Sequence, residues 1–489
     1  MSAGPPPDPR DPRARLEALC DPGSTRPLLP DDGPGDGPGD GPGAGPGAGV
    51  VAVTGSVAGV PTVVFACDPR AQGGALDARG CAVVLAAYER ALADGAPVVG
   101  LWHSAGARLQ EGPRALEAVG RVFAAMTRAS GRVPQVSVVL GPAAGGAAYG
   151  PALTDAVVLG PAARVFVTGP DVVRSVTGED TDAEHLGGPD AHARRSGVAH
   201  VAAGSDAEAL QHGRALVGLL GAQGAWDAAA RAGRVEERDL GALLPASPRR
   251  AYDVHPLLDA VLDAPLGTPG AGGSLELHPA WAPNAVTALG RLAGRTVGVV
   301  ATNPLRLGGC LDAASGEKCA RFVRTCDALG VPLVVLVDTP GYLPGVAQEW
   351  DGVVRRGAKL LHAFAEAVVP RVTVVVRKAY GGAQIALNSR ALGATRVLAW
   401  PGAEVAVMGP VAAVRVLRRR ELAQAPPERR EALEAELAAE HERASGGLAR
   451  ALEVGVVDEV VDPARTRSAL VRALAAAPAR RGAHGNIPL

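Results

Sequence analysis

The stretch Pro134-Gln135-Val136-Ser137-Val138-Val139-Leu140, leading into Gly145-Gly146-Ala147, returns as Pro370-Arg371-Val372-Thr373-Val374-Val375-Val376, leading into Gly381-Gly382-Ala383. The interval from proline to first glycine is identical in the two copies, Pro134 to Gly145 and Pro370 to Gly381. A short run of mostly β-branched residues bounded by Pro and Gly reads as a buried strand, and the glycines behind it as a strand-to-helix turn. The match extends outward. An earlier strand reads Pro97-Val98-Val99-Gly100-Leu101 in one copy and Pro332-Leu333-Val334-Val335-Leu336 in the other, and precedes the repeat proline by nearly the same interval in each. Downstream, Arg164-Val165-Phe166-Val167-Thr168-Gly169-Pro170 is echoed by Glu404-Val405-Ala406-Val407-Met408-Gly409-Pro410. The chain reads as two homologous halves, each with an exposed Gly-Gly turn, with two related anion-stabilising sites facing a shared cleft.

With 489 residues the chain is too long for one core and suits two domains of roughly 200–250 residues each. We divide it into a flexible Gly/Pro-rich segment (1–49), a first domain (50–240) and a second (241–489). The net charge of −1 gives no field that would attract nucleic acid or an anionic membrane, so a small-molecule substrate is expected. The six cysteines, Cys20, Cys67, Cys81, Cys310, Cys319 and Cys326, form no Cys-x-x-Cys pair. They read as reduced and mostly buried, and no metal site is expected. No secretory leader opens the sequence and no apolar run approaches the roughly 18 residues of a membrane span, so a cytoplasmic location is expected. Lysine occurs three times, at Lys318, Lys359 and Lys378, against 46 arginines, a bias best ascribed to codon usage.

Residues Asp32 to Gly49 are a Gly-Pro-Gly-Asp/Ala repeat with nothing to bury; before it, Arg13 to Leu28 is expected as a short helix and turn. From Val50 strands and helices alternate. Val50–Thr54 and Pro61–Phe65 read as a hairpin, and Val83–Ala93, Arg114–Ala129 and Ala207–Leu220 as helices. A polar stretch at about 222–250 is expected to connect the halves. The order then restarts at Trp281, with an early strand at Thr296–Ala301, helices at Cys319–Leu329 and Gly352–Val368, and a charged amphipathic helix at Pro427–Arg443. This alternation places both halves in the α/β class.

A Gly-Gly pair between strand and helix lets backbone approach a ligand closely and leaves N–H groups free. Two such donors suit the oxyanion formed when a thioester loses its α-proton, at about 3–4 kcal/mol per donor. The first turn offers Gly145, Gly146 and Ala147, the second Gly382 and Ala383; the alternative for each is mere close packing of helix on strand. Pro151 is expected to cut the first helix short. The loops Ser104-Ala105-Gly106-Ala107-Arg108 and Asp338-Thr339-Pro340-Gly341-Tyr342 follow strands, where ligands gather in open α/β folds. Arg108 reads as a phosphate or carboxylate contact or as a surface ion pair. Glu111 and Asp338 read as general bases or, more simply, as helix caps or salt-bridge partners. No nucleophile elbow and no Gly-x-Gly-x-x-Gly after a strand is visible.

Taken together, Ser104 to Gly112, Gly141 to Asp155, Val167 to Asp180, Pro340 to Gly345, Arg355 to Leu361, Lys378 to Ala383 and Gly485 to Leu489 resemble the carboxyltransferase (β) subunit of biotin-dependent acyl-CoA carboxylases, closest to the actinobacterial acetyl-/propionyl-CoA type. The resemblance covers roughly residues 50 to 489. It implies two tandem crotonase-like domains built of ββα spiral units, a homohexamer with sites at dimer interfaces, and biotin carried on a separate biotin carboxylase/biotin carrier (α) subunit. It also implies transfer of CO2 from carboxybiotin to the α-carbon of acetyl-CoA or propionyl-CoA, without a side-chain base, feeding fatty acid or polyketide synthesis. By motif match, Gly145 and Gly146 hold the thioester oxygen, and Gly382 and Ala383 hold the biotin ureido oxygen. Ala105, Gly106, Ala107, Arg108, Ala147, Tyr149 and Ile385 fall to the acyl-CoA, and Gly381, Gln384, Pro340, Gly341 and Tyr342 to biotin. Ile385 matches a position lining the acyl pocket and otherwise reads as a core residue of its helix.

Four departures stand out. Ala105 replaces a glycine, which places a Cβ where positive φ is expected. Gln384 stands where Tyr is common, apolar Val83 or its neighbours stand where a basic residue is common, and the N-terminal region is short and Gly/Pro-rich. A biotin-dependent acyl-CoA decarboxylase subunit and a non-catalytic scaffold are the alternatives.

Overall fold

Buried parallel strands carry near-continuous apolar runs because helices cover both faces of such a sheet. The computed structural model, which describes residues 8–29, 49–231, 236–247, 250–268, 273–445 and 447–488, shows such a sheet in each half. The expected Asp32–Gly49 repeat lies outside the described residues except for Gly49. The chain divides into two units: 1–223 with 267–281 and 483–489, and 224–266 with 282–482.

The first unit opens with helix α1 (Pro12–Leu19) and a short strand β1 (Arg26–Pro27) where a helix and turn were expected. The hairpin β2 (Val50–Val57) and β3 (Val60–Cys67) follows, then α2 (Ala78–Asp94), β4 (Val98–Ser104), α3 (Pro113–Ala129), β5 (Gln135–Ala144), α4 (Gly146–Ala152), β6 (Ala156–Leu159), β7 (Arg164–Phe166), α5 (Pro170–Thr177), β8 (Val201–Ala202) and α6 (Asp206–Gly221). The sheet order is β1-β2-β3-β4-β5-β6-β8, with β7 paired to the end of β5. From β3 to β8 the pairing is parallel. Beneath it Phe65 and Trp102 meet edge to face at 5.2 Å, and the Trp102 indole N–H donates to Ser137 Oγ at 2.9 Å.

The second unit repeats this plan in β9 (Ala285–Leu292), β10 (Arg295–Thr302), α7 (Ala313–Leu329), β11 (Leu333–Thr339), α8 (Val353–Glu366), β12 (Arg371–Tyr380), α9 (Gly381–Ala386), β13 (Arg396–Ala399), β14 (Glu404–Ala406), α10 (Pro410–Leu417), α11 (Pro427–Ser445), β15 (Glu459–Val460) and α12 (Thr466–Ala476). Its strands run β15-β13-β12-β11-β10-β9, with β14 on the end of β12. The copies stay in step: the starts of β2, β5 and β7 at Val50, Gln135 and Arg164 are matched by those of β9, β12 and β14 at Ala285, Arg371 and Glu404, with an offset that hardly drifts. Even the caps repeat. Asp77 accepts the Gly80 N–H to start α2, and Gly95 ends it at φ 63°; Asp312 accepts the Ser315 N–H to start α7, and Gly330 ends it at φ 74°.

Some elements extend beyond their sequence patterns. The strand at Val98 runs on to Ser104, and the polar stretch near 222–250 contributes Leu240, fully buried in the second core. Five of the cysteines are buried and Cys310 is half-buried, all of them free thiols. The segment after Gly482 returns to the first unit. There Asn486 Nδ2 donates to Asp155 Oδ1 at 2.8 Å and its N–H donates to Ser130 Oγ at 2.7 Å.

Candidate active site

Both glycine turns sit where a buried strand reverses into a short helix. In the first unit Gly145 has φ 57° and ψ −128°, a conformation open to glycine and strained for any other residue. Its N–H donates to the Phe166 carbonyl at 3.0 Å, which ties the turn to β7. Gly145 is thus not a free donor, contrary to the sequence expectation, because its hydrogen bond is spent on the fold. Among the described residues the N–H groups of Gly146 and Ala147 have no acceptor. The offset that carries β5 onto β12 carries them onto Gly382 and Ala383, whose N–H groups are likewise without acceptor among the described residues. Gly381 repeats the positive φ of Gly145, at 57°. Each turn therefore presents one matched pair of backbone donors.

The helix behind the first turn is short, as Pro151 predicts: α4 ends at Ala152. It can lie low on the sheet because Gly150 rests on Trp102, where a Cβ would be 2.5 Å from the ring. Tyr149 stands exposed on its outer side, edge-on to Phe123 at 6.3 Å.

The loop after β4 lies beside this turn. A Cβ on Gly106 would come within 2.9 Å of the Ala144 carbonyl, the residue before Gly145. Gly106 and Ala107 are laced to Leu76, whose N–H donates to the Gly106 carbonyl at 2.8 Å, while the Arg108 N–H donates to the Leu76 carbonyl at 2.9 Å. Positive φ falls on Gly106, at 105°, and not on Ala105. The expected strain at Ala105 is absent, and its methyl is exposed. Arg108 pairs with Asp77 at 3.1 Å; the carboxylate is buried, so this is no surface ion pair. Glu111 Oε2 accepts the Ala78 N–H at 3.0 Å and so caps α2 rather than serving as a base.

In the second unit Pro340 is exposed and Gly341, at φ 131°, turns the chain so that Tyr342 pairs with Leu311. The Tyr342 ring packs against Gly357, and the nearest neighbour of a Cβ on Gly382 would be that ring, 4.0 Å away. Burial pushes its hydroxyl up to about 12. Gln384 is exposed. Ile385 is 46% exposed, so it is not a core residue of its helix: it points outward. Asp338 is buried, accepts the Lys378 N–H at 3.2 Å and forms neither a cap nor an ion pair among the described residues.

Sequence reasoning missed an apolar cavity of about 310 Å3 in this unit, lined by Tyr380, Val405, Val407, Met408, Pro410 and Leu417 among others. It adjoins the second turn, since a Cβ on Gly381 would lie 3.1 Å from the Val407 carbonyl. The signal was in the sequence as Val407 and Met408, two apolar residues just past a strand end. Among the described residues no group of His, Cys, Asp and Glu is arranged to hold a metal ion, and no helix is long and apolar enough to cross a membrane.

A chain built of two such duplicated sheets has counterparts among known proteins. Residues 12–484 match the carboxyl transferase domain. The chain belongs to the carboxyl transferase family. It is 59% identical over 483 residues to the biotin-dependent acetyl-/propionyl-coenzyme A carboxylase β6 subunit of Mycobacterium tuberculosis, covering 99% of this chain and 97% of that one. It is 56% identical over 482 residues to the propionyl-CoA carboxylase β chain of Rhodococcus erythropolis, again covering 99% and 97%. A solved structure of transcarboxylase 12S, a hexamer with methylmalonyl-coenzyme A and methylmalonic acid bound, superposes with a TM-score of 0.87 at 38% identity, covering 98% of this chain and 92% of that one. The carboxyltransferase fold, two crotonase-like α/β domains in tandem, is that of this carboxyl transferase chain.

Proposed function

We propose that this carboxyltransferase moves a carboxyl group from carboxybiotin, carried on a separate α subunit, to the α-carbon of acetyl-CoA or propionyl-CoA, giving malonyl-CoA or methylmalonyl-CoA. The observation that carries this reading is the matched pair of free backbone donors in each unit, Gly146 with Ala147 and Gly382 with Ala383. The named activities of its relatives support it.

Carboxybiotin, when bound, supplies the activated carboxyl group. The second turn fits its uncharged ureido oxygen: Gly382 is exposed, open above, and floored by the Tyr342 ring. In the first unit the Gly146 and Ala147 N–H groups donate to the thioester oxygen and stabilise the negative charge that grows there as the α-carbon gives up its proton. Such donors are worth about 3 kcal/mol each because they are held in place before charge develops. The α-proton would pass to the ureido nitrogen whose bond to the carboxyl group breaks, so no side chain need act as base, in keeping with Glu111 being committed to a helix start and Asp338 to the Lys378 N–H. Ala105, unstrained, gives no reason to think the site disabled.

Outward-facing Ile385 suits a short acyl chain. We place the reaction in the cytoplasm, in a homohexamer like that of transcarboxylase 12S, where six unpaired thiols are at home. The test supplies the chain with a biotinylated α subunit, ATP, bicarbonate and acetyl-, propionyl- or butyryl-CoA. Carboxylated acetyl- and propionyl-CoA are expected; decarboxylation of methylmalonyl-CoA with no carboxylation by any partner would overturn the reading.

A further inference from the structure

The two sheets share an irregularity at one place. β4 and β5 pair in one register from Val98 with Gln135 to Trp102 with Val139, then resume two positions further along β5, at Ser104 with Ala143. β11 and β12 do the same, from Leu333 with Arg371 to Val337 with Val375, then Thr339 with Ala379. Leu140, Gly141 and Pro142 thus face His103 alone, and Val376, Arg377 and Lys378 face Asp338 alone. Such a bulge breaks the ladder and re-aims the strand beyond it, here the strand that carries each glycine turn.

The copies settle the broken ladder differently. In the first unit the third bulged residue is Pro142, which has no N–H to satisfy, and the His103 ring lies on Gly141, where a Cβ would sit 2.4 Å away. In the second unit the third is Lys378, which has an N–H, and Asp338 Oδ1 accepts it. The Asp338 backbone is itself clamped by Thr302, whose hydroxyl accepts its N–H at 2.8 Å and donates to its carbonyl at 3.0 Å. The Tyr252 hydroxyl hydrogen-bonds the carboxylate. Arg377 lies 5.1 Å from the centre of the Tyr252 ring while donating to the Pro245 and Arg250 carbonyls. Burial raises the Asp338 carboxyl, with the Tyr252 and Lys378 hydrogen bonds and the Lys378 and Arg377 charges opposing. A buried side chain held by backbone clamp, hydroxyl and bulge is well placed to fix a strand end.

We propose that Asp338 is a positioning residue for carboxyl transfer: by accepting the Lys378 N–H and the Tyr252 hydroxyl it fixes the β12 bulge, and with it the angle at which Gly382 and Ala383 present their N–H groups. This rests on assigning that pair to biotin. It acts through the backbone from Lys378 to Gly381.

The test uses the full chain, with free biotin as acceptor of the carboxyl group of methylmalonyl-CoA. Asp338→Leu keeps the branched side-chain skeleton and removes the acceptor; Asp338→Asn keeps an acceptor oxygen for Lys378. Asp338→Leu should raise the KM for biotin about 100-fold, the scale of a misplacement near 1 Å, and leave the KM for methylmalonyl-CoA unchanged, while Asp338→Asn should restore biotin use. Hydrogen exchange read by mass spectrometry should quicken at residues 376–386 in Asp338→Leu alone, with 140–150 unchanged. An unaltered biotin KM with unaltered exchange in Asp338→Leu, or equal impairment in Asp338→Asn, overturns the proposal. Faster exchange at 376–386 with a kinetic change confined to methylmalonyl-CoA upholds Asp338 as the positioning residue and overturns the assignment of Gly382 and Ala383 to biotin.

Discussion

Gly145 and Gly146 are neighbours with different work. The first supplies a positive φ and gives its N–H to Phe166; the second has ordinary φ and a free N–H. Substitution should separate them. Gly145→Ala forces a Cβ into the left-handed region and should cost about 1–2 kcal/mol, read as a lower thermal midpoint. Gly146→Ala meets nothing nearer than Val119 at 3.6 Å. It should fold normally yet lose about 100-fold in kcat/KM, because the methyl crowds the oxygen the N–H must reach. His103 offers a pH-dependent handle. Burial, aided by the Arg15 and Arg10 charges, lowers its pKa from 6.5 to about 4. The unfolded chain then binds a proton that the native chain refuses, so this contribution to stability is present above pH 6.5 and is lost as pH falls toward 4. Thermal midpoints of wild type and His103→Gln should diverge at neutral pH and converge in that window.

At the scale of elements, the strand and helix alternation was legible because strands buried on both faces leave unbroken apolar runs such as Leu333 to Val337. The repeated proline-to-glycine spacing marked both turns. The identity of the donors was not legible. Whether Gly145 keeps its N–H depends on Phe166, well downstream, and on the pairing of β7 with β5, which no local pattern encodes. Asp338 likewise looked like a base or a cap until the register of β11 against β12 gave it an N–H to accept. Helix starts are firmer ground. Asp77 caps α2 and also holds Arg108, so Asp77→Ala should lower stability by about 2 kcal/mol in urea unfolding. The cost to the Ala105–Arg108 loop should appear in the same variant as a raised KM for acyl-CoA.

On the scale of the whole molecule, a chain of net charge −1 with six free thiols has little to show a charged or oxidising partner. Burial raises every one of those thiols, Cys20 and Cys67 to about 11 and Cys81 and Cys319 to about 12. Since the thiolate is the reactive form, native protein at neutral pH should take up alkylating reagent slowly and first at half-buried Cys310, with all six modified only after denaturation. One further consequence concerns the order of events in synthesis. Asn486 satisfies Asp155 and Ser130 in the first unit although the whole of the second unit separates them in sequence. A ribosome must therefore translate the second unit before the first can close its hydrogen bonds, which makes the older half of the nascent chain the last to be finished.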